Sequence, residues 1–481
     1  YLLLFLPAAL LFYQITPAKW RSYTLLIFSY LFFWSFSEKL IIYLIGTTFL
    51  THHICIWMDT MDKRDKRKKR VFQLGILLLL GTILCLKYRN FFFGNVSKLA
   101  MVLHIDWSYQ DQLIFLPIGI SFYTFQALSY VIDVNRGEEP AQHNFWHMLL
   151  YISFFPQLIA GPIVKYRDIA AQITGRKETI RKFAAGIMRF CWGLGKKVLL
   201  ANSFARVVDE IFKYGPYAVS RKALWLGAIL YMMQIYYDFS GYSDMAIGLG
   251  KMFGFEFQEN FNYPYTAGSV QEFWHRWHIS LSTWFRDYLY FPLGGSRKGK
   301  ARTYINVLIV FALSGLWHGA AMKYVLWGLL FGVFQVIGGL LTPAKQRLCA
   351  ALHIPWDAGW LQIIRVIITF GLSTFAWIFF RADSALQACA IIKRIVTAAG
   401  ACFPLNLTHL GLTERALHVL AVSLIGLVLT DIIGDRFPLR EKLLETVWLR
   451  YAVWVILLAV TAVCGAYGTG FNPQEFVYFQ F

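Results

Sequence analysis

Runs of about 20 apolar residues recur along the chain, and they constrain its fold more than any other feature. A helix of that length crosses the hydrocarbon core of a bilayer. Its backbone groups hydrogen-bond to one another, because lipid chains offer them no partners. Hydrophobic residues make up 57% of the 481 residues and charged residues only 15%, which is too apolar for a soluble protein. The sequence therefore predicts an all-α, polytopic membrane protein.

We expect roughly 11 to 13 full crossings, with further re-entrant or interfacial helices. One span is expected to start near Leu113. Two segments, PIGISF at 117–122 and QLIAGPIV at 157–164, are broken by Pro and Gly, and such backbone is tolerated at membrane depth only around cavities or inside protein. No repeat and no linker is visible, so residues 1–481 are interpreted as one membrane domain. Because Tyr1 already lies in an apolar run, we expect an initiating Met and a few more residues before it.

Lys and Arg outnumber Asp and Glu by 46 to 27, and most of them lie between the apolar runs. The positive-inside rule explains this excess, so a nucleic-acid partner is not predicted. The most basic segment, DTMDKRDKRKKR at 59–70, is expected to face the cytoplasm. A second basic loop, 294–302, serves topology in the same way or, alternatively, attracts a phosphorylated acyl donor. The seven cysteines are scattered without a CxxC pair, so neither a disulfide framework nor a zinc knuckle is indicated.

Polar residues interrupt the segment YYDFSGYSDMAIGLG at 236–250, which carries Asp238, Tyr242 and Asp244. Carboxylates at membrane depth are costly, so we expect them to face a cavity, to pair with basic groups or to stay protonated. Asp238 and Asp244 are six residues apart, which is about 600° around a helix and about 120° from a common face. A paired acid and base is therefore not supported.

The segment EFWHRWHISLSTWFRDYLYFPLGG, 272–295, places His275 and His278 three residues apart. On a continuous helix both rings would share one face, so a metal site has to be considered. The segment has no HExxH motif and no obvious third ligand. Its many Trp, Tyr and Arg residues suit a helix at the membrane interface, and no metal site is predicted.

The motif LWHGA at 316–320 ends an apolar run with His318. If the helix enters the membrane at Arg302, sixteen residues carry the chain roughly 24 Å, so the imidazole lies deep in the bilayer. Gly315 and Gly319 flank this histidine and leave space for a ligand or for close helix packing. A satisfied buried histidine is one interpretation, and a general base reached by water and substrate is the other.

Taken together and in this order, six motifs carry a resemblance: PIGISFYTFQALSYVIDV, YISFFPQLIAGPIV, YDFSGYSDMAIGLG, NFNYPYTAGSVQEFWHRWHISLSTWFRDYLYFPLGG, LSGLWHGA and the terminal FVYFQF. The chain resembles the membrane-bound O-acyltransferase family, and in particular its bacterial branch that O-acetylates alginate and other polysaccharides. The FVYFQF ending favours this branch over the one that D-alanylates teichoic acid. The family more usually has arginine at the position of His275, which weakens a metal role for that histidine.

The resemblance implies an O-acyltransferase whose catalytic histidine is His318 and whose second motif histidine is His278, near a tunnel between a cytoplasmic and an extracytoplasmic funnel. It implies that His318 is the general base and that His278, with Trp277 and Ser282, orients the acyl group or polarises its carbonyl. The remaining implied site residues are the tunnel-lining Trp317, Asp238, Tyr242, Asp244 and Arg286, and the donor-docking Arg297, Lys298, Lys300 and Arg302.

The same resemblance implies a place in the bacterial inner membrane, surrounded by lipid. Acetyl-CoA or another acyl thioester would be the donor, with no bound cofactor, and the acceptor would be a polysaccharide reached through an extracytoplasmic SGNH-type partner, because the chain has no GxSxG motif of its own. Transfer of D-alanine or of a lipid acyl chain on the same scaffold stays open. A transporter or flippase is a further alternative, although it would not need His318 and no inverted repeat is visible. The HxxxxD motif of glycerolipid acyltransferases is absent at His275, His278 and His318.

Overall fold

The computed structural model describes residues 3–213, 215–397, 414–436 and 446–465, and regular structure within them is helical throughout. Three short π-helical turns, Leu84–Tyr88, Lys196–Ala201 and Arg286–Tyr290, interrupt or extend the α-helices. The α-helices of this part of the chain are α1 Phe5–Ile15, α2 Arg21–Ser37, α3 Ile41–Asp59, α4 Lys66–Ile83, α5 Arg89–Val102, α6 Ile120–Arg136, α7 Phe145–Ser153, α8 Phe155–Leu158, α9 Tyr166–Gly175, α10 Ile180–Gly195, α11 Asn202–Lys213, α12 Arg221–Met252, α13 Val270–Arg276, α14 Ile279–Phe285, α15 Lys300–His318, α16 Met322–Ala351, α17 Gly359–Arg381, α18 Ala385–Thr397, α19 Glu414–Arg436 and α20 Val447–Cys464.

Five helical stretches among the described residues are long and apolar enough to cross a membrane: Ala18–Asp59, Lys66–Val102, Met322–Ala351, Gly359–Arg381 and Val447–Cys464. The all-α class of a polytopic membrane protein is thereby confirmed. Other helices are too short to span, and α13 and α14, for example, have only seven residues each. The number of crossings and the central tunnel remain predictions.

The described residues group into two compact units. One consists of the described residues up to Ile187 together with Ala246–Gln258, and the other consists of Met188–Met245 together with the described residues from Glu259 onwards. Helices α10 and α12 contribute residues to both. The interpretation of 1–481 as one membrane domain stays a prediction.

In the first unit, the two segments broken by Pro and Gly meet. Gly119 has φ +73°, and a Cβ at this position would clash with the backbone carbonyl of Leu158. Helix α6 begins only at Ile120, after this left-handed glycine, so the span expected to start near Leu113 starts later. The non-helical residues 159–165 are buried in protein, as the cost of exposed backbone in lipid requires.

In the second unit, α15 and α16 pack against each other through glycines. A Cβ at Gly315 would overlap the backbone oxygen of Tyr324, and a Cβ at Gly328 would overlap that of Phe311. Such close approach of two backbones is typical of helix pairs in membranes, where small residues form the contact. Of the two uses considered for Gly315, close packing is therefore the one found, and it fixes the end of α15.

Candidate active site

The backbone around His278 is not a continuous helix. Helix α13 ends at Arg276 and α14 begins at Ile279, and His278 between them has the left-handed conformation, with φ 44° and ψ 54°. His278 is completely buried, whereas His275 is exposed. The expectation that both rings share one helical face is therefore wrong, and the two histidines do not form a ligand pair.

Tertiary hydrogen bonds explain this break. The backbone N–H of Asn262 donates to the carbonyl of Arg276 at 2.9 Å, and the backbone N–H of Ile279 donates to the carbonyl of Asn260 at 2.9 Å. A preceding loop thus takes over backbone groups on both sides of His278 that a helix would otherwise use. A left-handed residue other than glycine is uncommon and persists only where its surroundings enforce it.

Asn260 binds His278 directly. Its side-chain Oδ1 lies 3.1 Å from His278 Nδ1, 3.2 Å from the backbone nitrogen of Ser280 and 2.8 Å from Ser280 Oγ. Because the backbone N–H of Ser280 can only donate, the Asn260 atom that faces it is the oxygen. The His278 Nδ1 that faces the same oxygen must then carry a proton. In the neutral imidazole, the lone pair is consequently on Nε2.

Helix α12 holds Asn260 from its other side. The Asn260 Nδ2 donates to Ser243 Oγ at 3.0 Å, and the side chain of Asn260 is buried. The neighbouring residue, Glu259, accepts from both terminal nitrogens of Arg189, at 2.8 Å for the first of them. The same guanidinium donates through Nε to Asp244. The loop before α13 is therefore attached at two consecutive residues.

His318 is the last residue of α15, where the sequence places it, and it is 4% exposed. The next residue, Gly319, is extended and turns the chain away from the helix axis. Three aromatic rings surround the imidazole, with ring centroids at 4.8 Å for Trp317, 5.0 Å for Trp327 and 5.3 Å for Phe380. The aromatic wall around His318 is thus built by α15, α16 and α17.

Trp317 joins the two histidines into one site. Its ring centroid lies 6.1 Å from that of His278 and 4.8 Å from that of His318. Two histidines forty positions apart in the chain are thus brought to the same tryptophan. A buried pair of imidazoles next to one aromatic ring can accept and return protons in a volume shielded from bulk water.

With this geometry established, comparison with known proteins gives the family. The chain matches the model of the membrane-bound O-acyltransferase family over residues 28–379, a range that includes both histidines. It belongs to that family.

Individual members of the family are also similar to the chain. It is 40% identical over 385 residues to the probable alginate O-acetylase AlgI of Pseudomonas aeruginosa, covering 80% of this chain and 71% of that protein. A protein of the same name from Pseudomonas putida is 34% identical over 495 residues, covering 100% and 99%. The peptidoglycan O-acetyltransferase of Helicobacter pylori is 31% identical over 440 residues, covering 84% and 80%. The resemblance inferred from the motifs is confirmed, and the chain is a multi-pass membrane O-acyltransferase.

In this O-acyltransferase, both carboxylates of α12 are paired. Lys196 Nζ lies 2.9 Å from Asp244, and Lys197 Nζ lies 2.6 Å from Asp238, while Arg189 also binds Asp244. The two lysines follow each other at the start of the π-helical turn Lys196–Ala201, and all of these side chains are buried. Of the alternatives weighed for the two aspartates, pairing with basic groups is the one found.

The other predicted site residues differ in how far the protein buries them. Trp277 is buried against Trp377, with ring centroids 5.1 Å apart, and Ser282 Oγ donates to the Trp277 carbonyl at 3.4 Å. Tyr242 is half-buried, whereas Arg286 is exposed and binds Asp287 at 2.9 Å. The four residues of the basic loop are exposed as well: Arg297, Lys298, Lys300 and Arg302.

Asn260, Ser243 and Ser280 are the functional candidates that sequence reasoning missed. The signal was present in the motif NFNYPYTAGS, where two asparagines stand among aromatic residues shortly before the histidines. Within the described ranges, no three side chains of His, Cys, Asp or Glu converge as a metal site would require. The FVYFQF motif lies outside the residues that the structure describes.

Proposed function

We propose that this chain transfers an acyl group, acetyl in the first place, from a cytoplasmic thioester towards a polysaccharide outside the membrane. The observation that carries the proposal is the burial of His278 and His318 on the same tryptophan, Trp317, in a family of O-acyltransferases. The relatives named alginate O-acetylase and peptidoglycan O-acetyltransferase support acetyl as the acyl group and a glycan as the acceptor.

In the proposed reaction, His318 acts as general base. It takes the proton of an acceptor hydroxyl while that oxygen attacks the carbonyl carbon of the thioester. The carbon–sulfur bond then breaks, and the proton passes from His318 to the departing thiolate, so that His318 returns to its neutral form. Three aromatic rings surround the imidazole and shield it from bulk water.

His278 is proposed to orient the acceptor. Since its Nδ1 proton is committed to Asn260, the neutral ring offers Nε2 as a hydrogen-bond acceptor and has no second N–H to polarise a carbonyl. The family resemblance implied that His278 orients the acyl group or polarises its carbonyl; this tautomer speaks against polarisation, and we propose instead that Nε2 accepts from the acceptor hydroxyl. Trp277 directly precedes His278 and Ser282 follows it by four residues, and both are proposed to complete the wall against which the acyl group is held.

The donor is proposed to be acetyl-CoA or another acyl thioester, and Arg297, Lys298, Lys300 and Arg302 of the basic loop 294–302 are proposed to dock it. The start of α15 at Lys300 and its end at His318 are about 27 Å apart along the helix axis. A nucleotide or carrier held at the loop therefore needs a long, flexible arm to bring its thioester to His318. Arg286, which is exposed, is proposed to hold a phosphate or a carboxylate of a substrate.

Asp238, Tyr242 and Asp244 are proposed to line the polar path as structural elements. This proposal follows from the ion pairs of the two aspartates, since Asp238 binds Lys197 and Asp244 binds Lys196 within the protein. We further propose that the protein resides in the bacterial inner membrane and passes acetyl to an extracytoplasmic SGNH-type partner that completes the transfer.

The test is the O-acetyl content of surface polysaccharide in cells that carry wild type, His318→Ala or His278→Ala at matched membrane levels. We expect His318→Ala to abolish acetylation and His278→Ala to reduce it strongly. His275→Ala is the matched control, because this histidine belongs to the same motif but is exposed. If acetylation persists in His318→Ala, the general-base proposal is wrong and a transporter becomes the better account. Loss of ester-linked D-alanine instead of acetyl would identify the D-alanyl alternative.

A further inference from the structure

A cavity of about 340 Å³ lies in the first unit, where α3 ends, α4 begins and α6 ends. Three lysines line it: Lys63 from the loop after α3, and Lys68 and Lys69 from the first turns of α4. Asn135 of α6 and Phe72 of α4 complete its wall. These lysines belong to the most basic segment of the chain, which the proposed acyl transfer does not use.

Three lysines and one carboxylate line the cavity, so its lining carries an excess of positive charge among the residues that the structure describes. Its one carboxylate, Asp65, is engaged elsewhere, since it caps α4 by accepting from the backbone N–H of Arg67 at 2.8 Å and pairs with the Arg67 side chain at 3.0 Å. Lys68 is only 8% exposed, and its ammonium has no hydrogen bond or ion pair with any residue that the structure describes. A largely buried lysine that lines a cavity beside two further lysines concentrates positive charge there, so the cavity is suited to an anion.

The position of the cavity identifies the kind of anion. Lys66–Arg70 is entirely basic, and the apolar stretch of α4 follows at once from Val71. Leu74, Leu77 and Leu78, one to two turns further on, are exposed, as residues in contact with lipid chains are. The cavity thus lies at the depth where phospholipid phosphates meet the end of a spanning helix.

We propose that this cavity binds the phosphodiester of an anionic phospholipid, with Lys68 as the central contact and Lys63 and Lys69 at its rim. A volume of about 340 Å³ is within the range of small-ligand sites and admits one headgroup. The acyl chains of that lipid would run along the exposed leucines of α4. Binding of this kind would anchor the polar ends of α3, α4 and α6 to one another.

Native mass spectrometry of the delipidated full-length chain tests the proposal, by titration with phosphatidylglycerol and, separately, with neutral phosphatidylcholine. We expect phosphatidylglycerol to bind with a defined stoichiometry and Lys68→Gln to weaken it by at least tenfold. Lys66→Gln is the matched control, because Lys66 is exposed, lies two residues away and does not line the cavity. The Lys66→Gln substitution removes only the long-range attraction of Lys66 for the anionic headgroup, which should weaken binding about fivefold or less.

Additional variants and competitors distinguish a lipid site from a nucleotide site and from a basic surface without specificity. The double variant Lys63→Gln/Lys69→Gln changes two exposed residues and should also weaken phosphatidylglycerol, even if Lys68→Gln folds poorly. Inorganic phosphate and coenzyme A are added as competitors at millimolar concentration, and neither should displace the lipid. Equal weakening of lipid binding by Lys68→Gln and Lys66→Gln would mean that the basic segment attracts anions in general. Displacement of the lipid by coenzyme A would identify a nucleotide site. Either result overturns the proposal.

Discussion

Replacement of Asn260 by alanine tests the inferred tautomer of His278 most directly. The substitution removes the oxygen that accepts from His278 Nδ1, from the Ser280 backbone and from Ser280 Oγ. It leaves Ser243 without the amide that donates to it. Without Asn260, the ring of His278 is free to carry its proton on either nitrogen and to rotate, so the productive form becomes one of several.

The magnitude follows from these contacts. A hydrogen bond between neutral groups contributes about 1 kcal/mol net, and leaving a buried donor unsatisfied costs about 1–3 kcal/mol. Loss of the bond that selects the His278 tautomer should therefore lower kcat by about 10- to 100-fold, with KM for the donor changed much less. Folding stability should fall too, because the N–H of Ser280 loses its partner at the same time.

A double-mutant cycle separates positioning from a general structural effect. Acetyl transfer is measured for Asn260→Ala, His278→Ala and the double variant, each normalised to the amount of folded protein in the membrane. If Asn260 acts through His278, its substitution should have little further effect once His278 is alanine. Asn262→Ala is the control, because the side chain of Asn262 is exposed only two residues away and should be replaceable without loss. Additive losses in the cycle would refute the reasoning.

Other substitutions probe the packing and charge around the site. Asp244→Asn removes the carboxylate that the buried Lys196 and Arg189 share, although Arg189 keeps Glu259, and should cost about 3–5 kcal/mol, seen as a lower midpoint of thermal unfolding in detergent. An unchanged midpoint would contradict the ion-pair account. Gly315→Ala places a methyl group against the backbone oxygen of Tyr324 and should cost about 1–3 kcal/mol or more in the same assay, with loss of acetylation. Gly338→Ala, in α16 with no neighbouring atom near its Cβ position, should be neutral or stabilise by up to about 1 kcal/mol, and a destabilisation similar to that of Gly315→Ala would refute the packing argument.

The helix that ends at His318 could be predicted from the sequence because it depends on one local pattern. An apolar run that starts after a basic loop forms a helix that rises about 1.5 Å per residue, whereas the depth of its last residue in a bilayer stays a prediction. Helix α15 indeed ends at this residue. The aromatic rings that surround His318 were beyond prediction, since Trp327 and Phe380 come from two other helices.

The geometry at His278 shows where local patterns fail. A spacing of three residues indicates one helical face only if the helix continues, and nothing between His275 and His278 is a helix breaker. The interruption comes from Asn260 and Asn262, which are distant in the chain and take up backbone groups on both sides of His278. Similarly, because buried carboxylates are costly, a basic partner for Asp244 could be predicted. That this partner is Arg189 could not be predicted, because the two residues are 55 positions apart in the chain.

The buried ion pairs of α12 and the hydrogen bonds of Asn260 together hold the loop that contacts His278. Two consecutive residues of α12, Ser243 and Asp244, hold two consecutive loop residues: Ser243 accepts from Asn260, and Asp244 shares Arg189 with Glu259. Sliding of the loop along α12 would therefore break a hydrogen bond and a buried ion pair together. A displacement of about 1 Å near reacting groups can lower the rate about 100-fold. Buried ion pairs that fix this loop are therefore what a site needs if its imidazole has to be placed accurately. For the same reason, Asp244→Asn should reduce acetylation per folded molecule as well as the amount of folded protein.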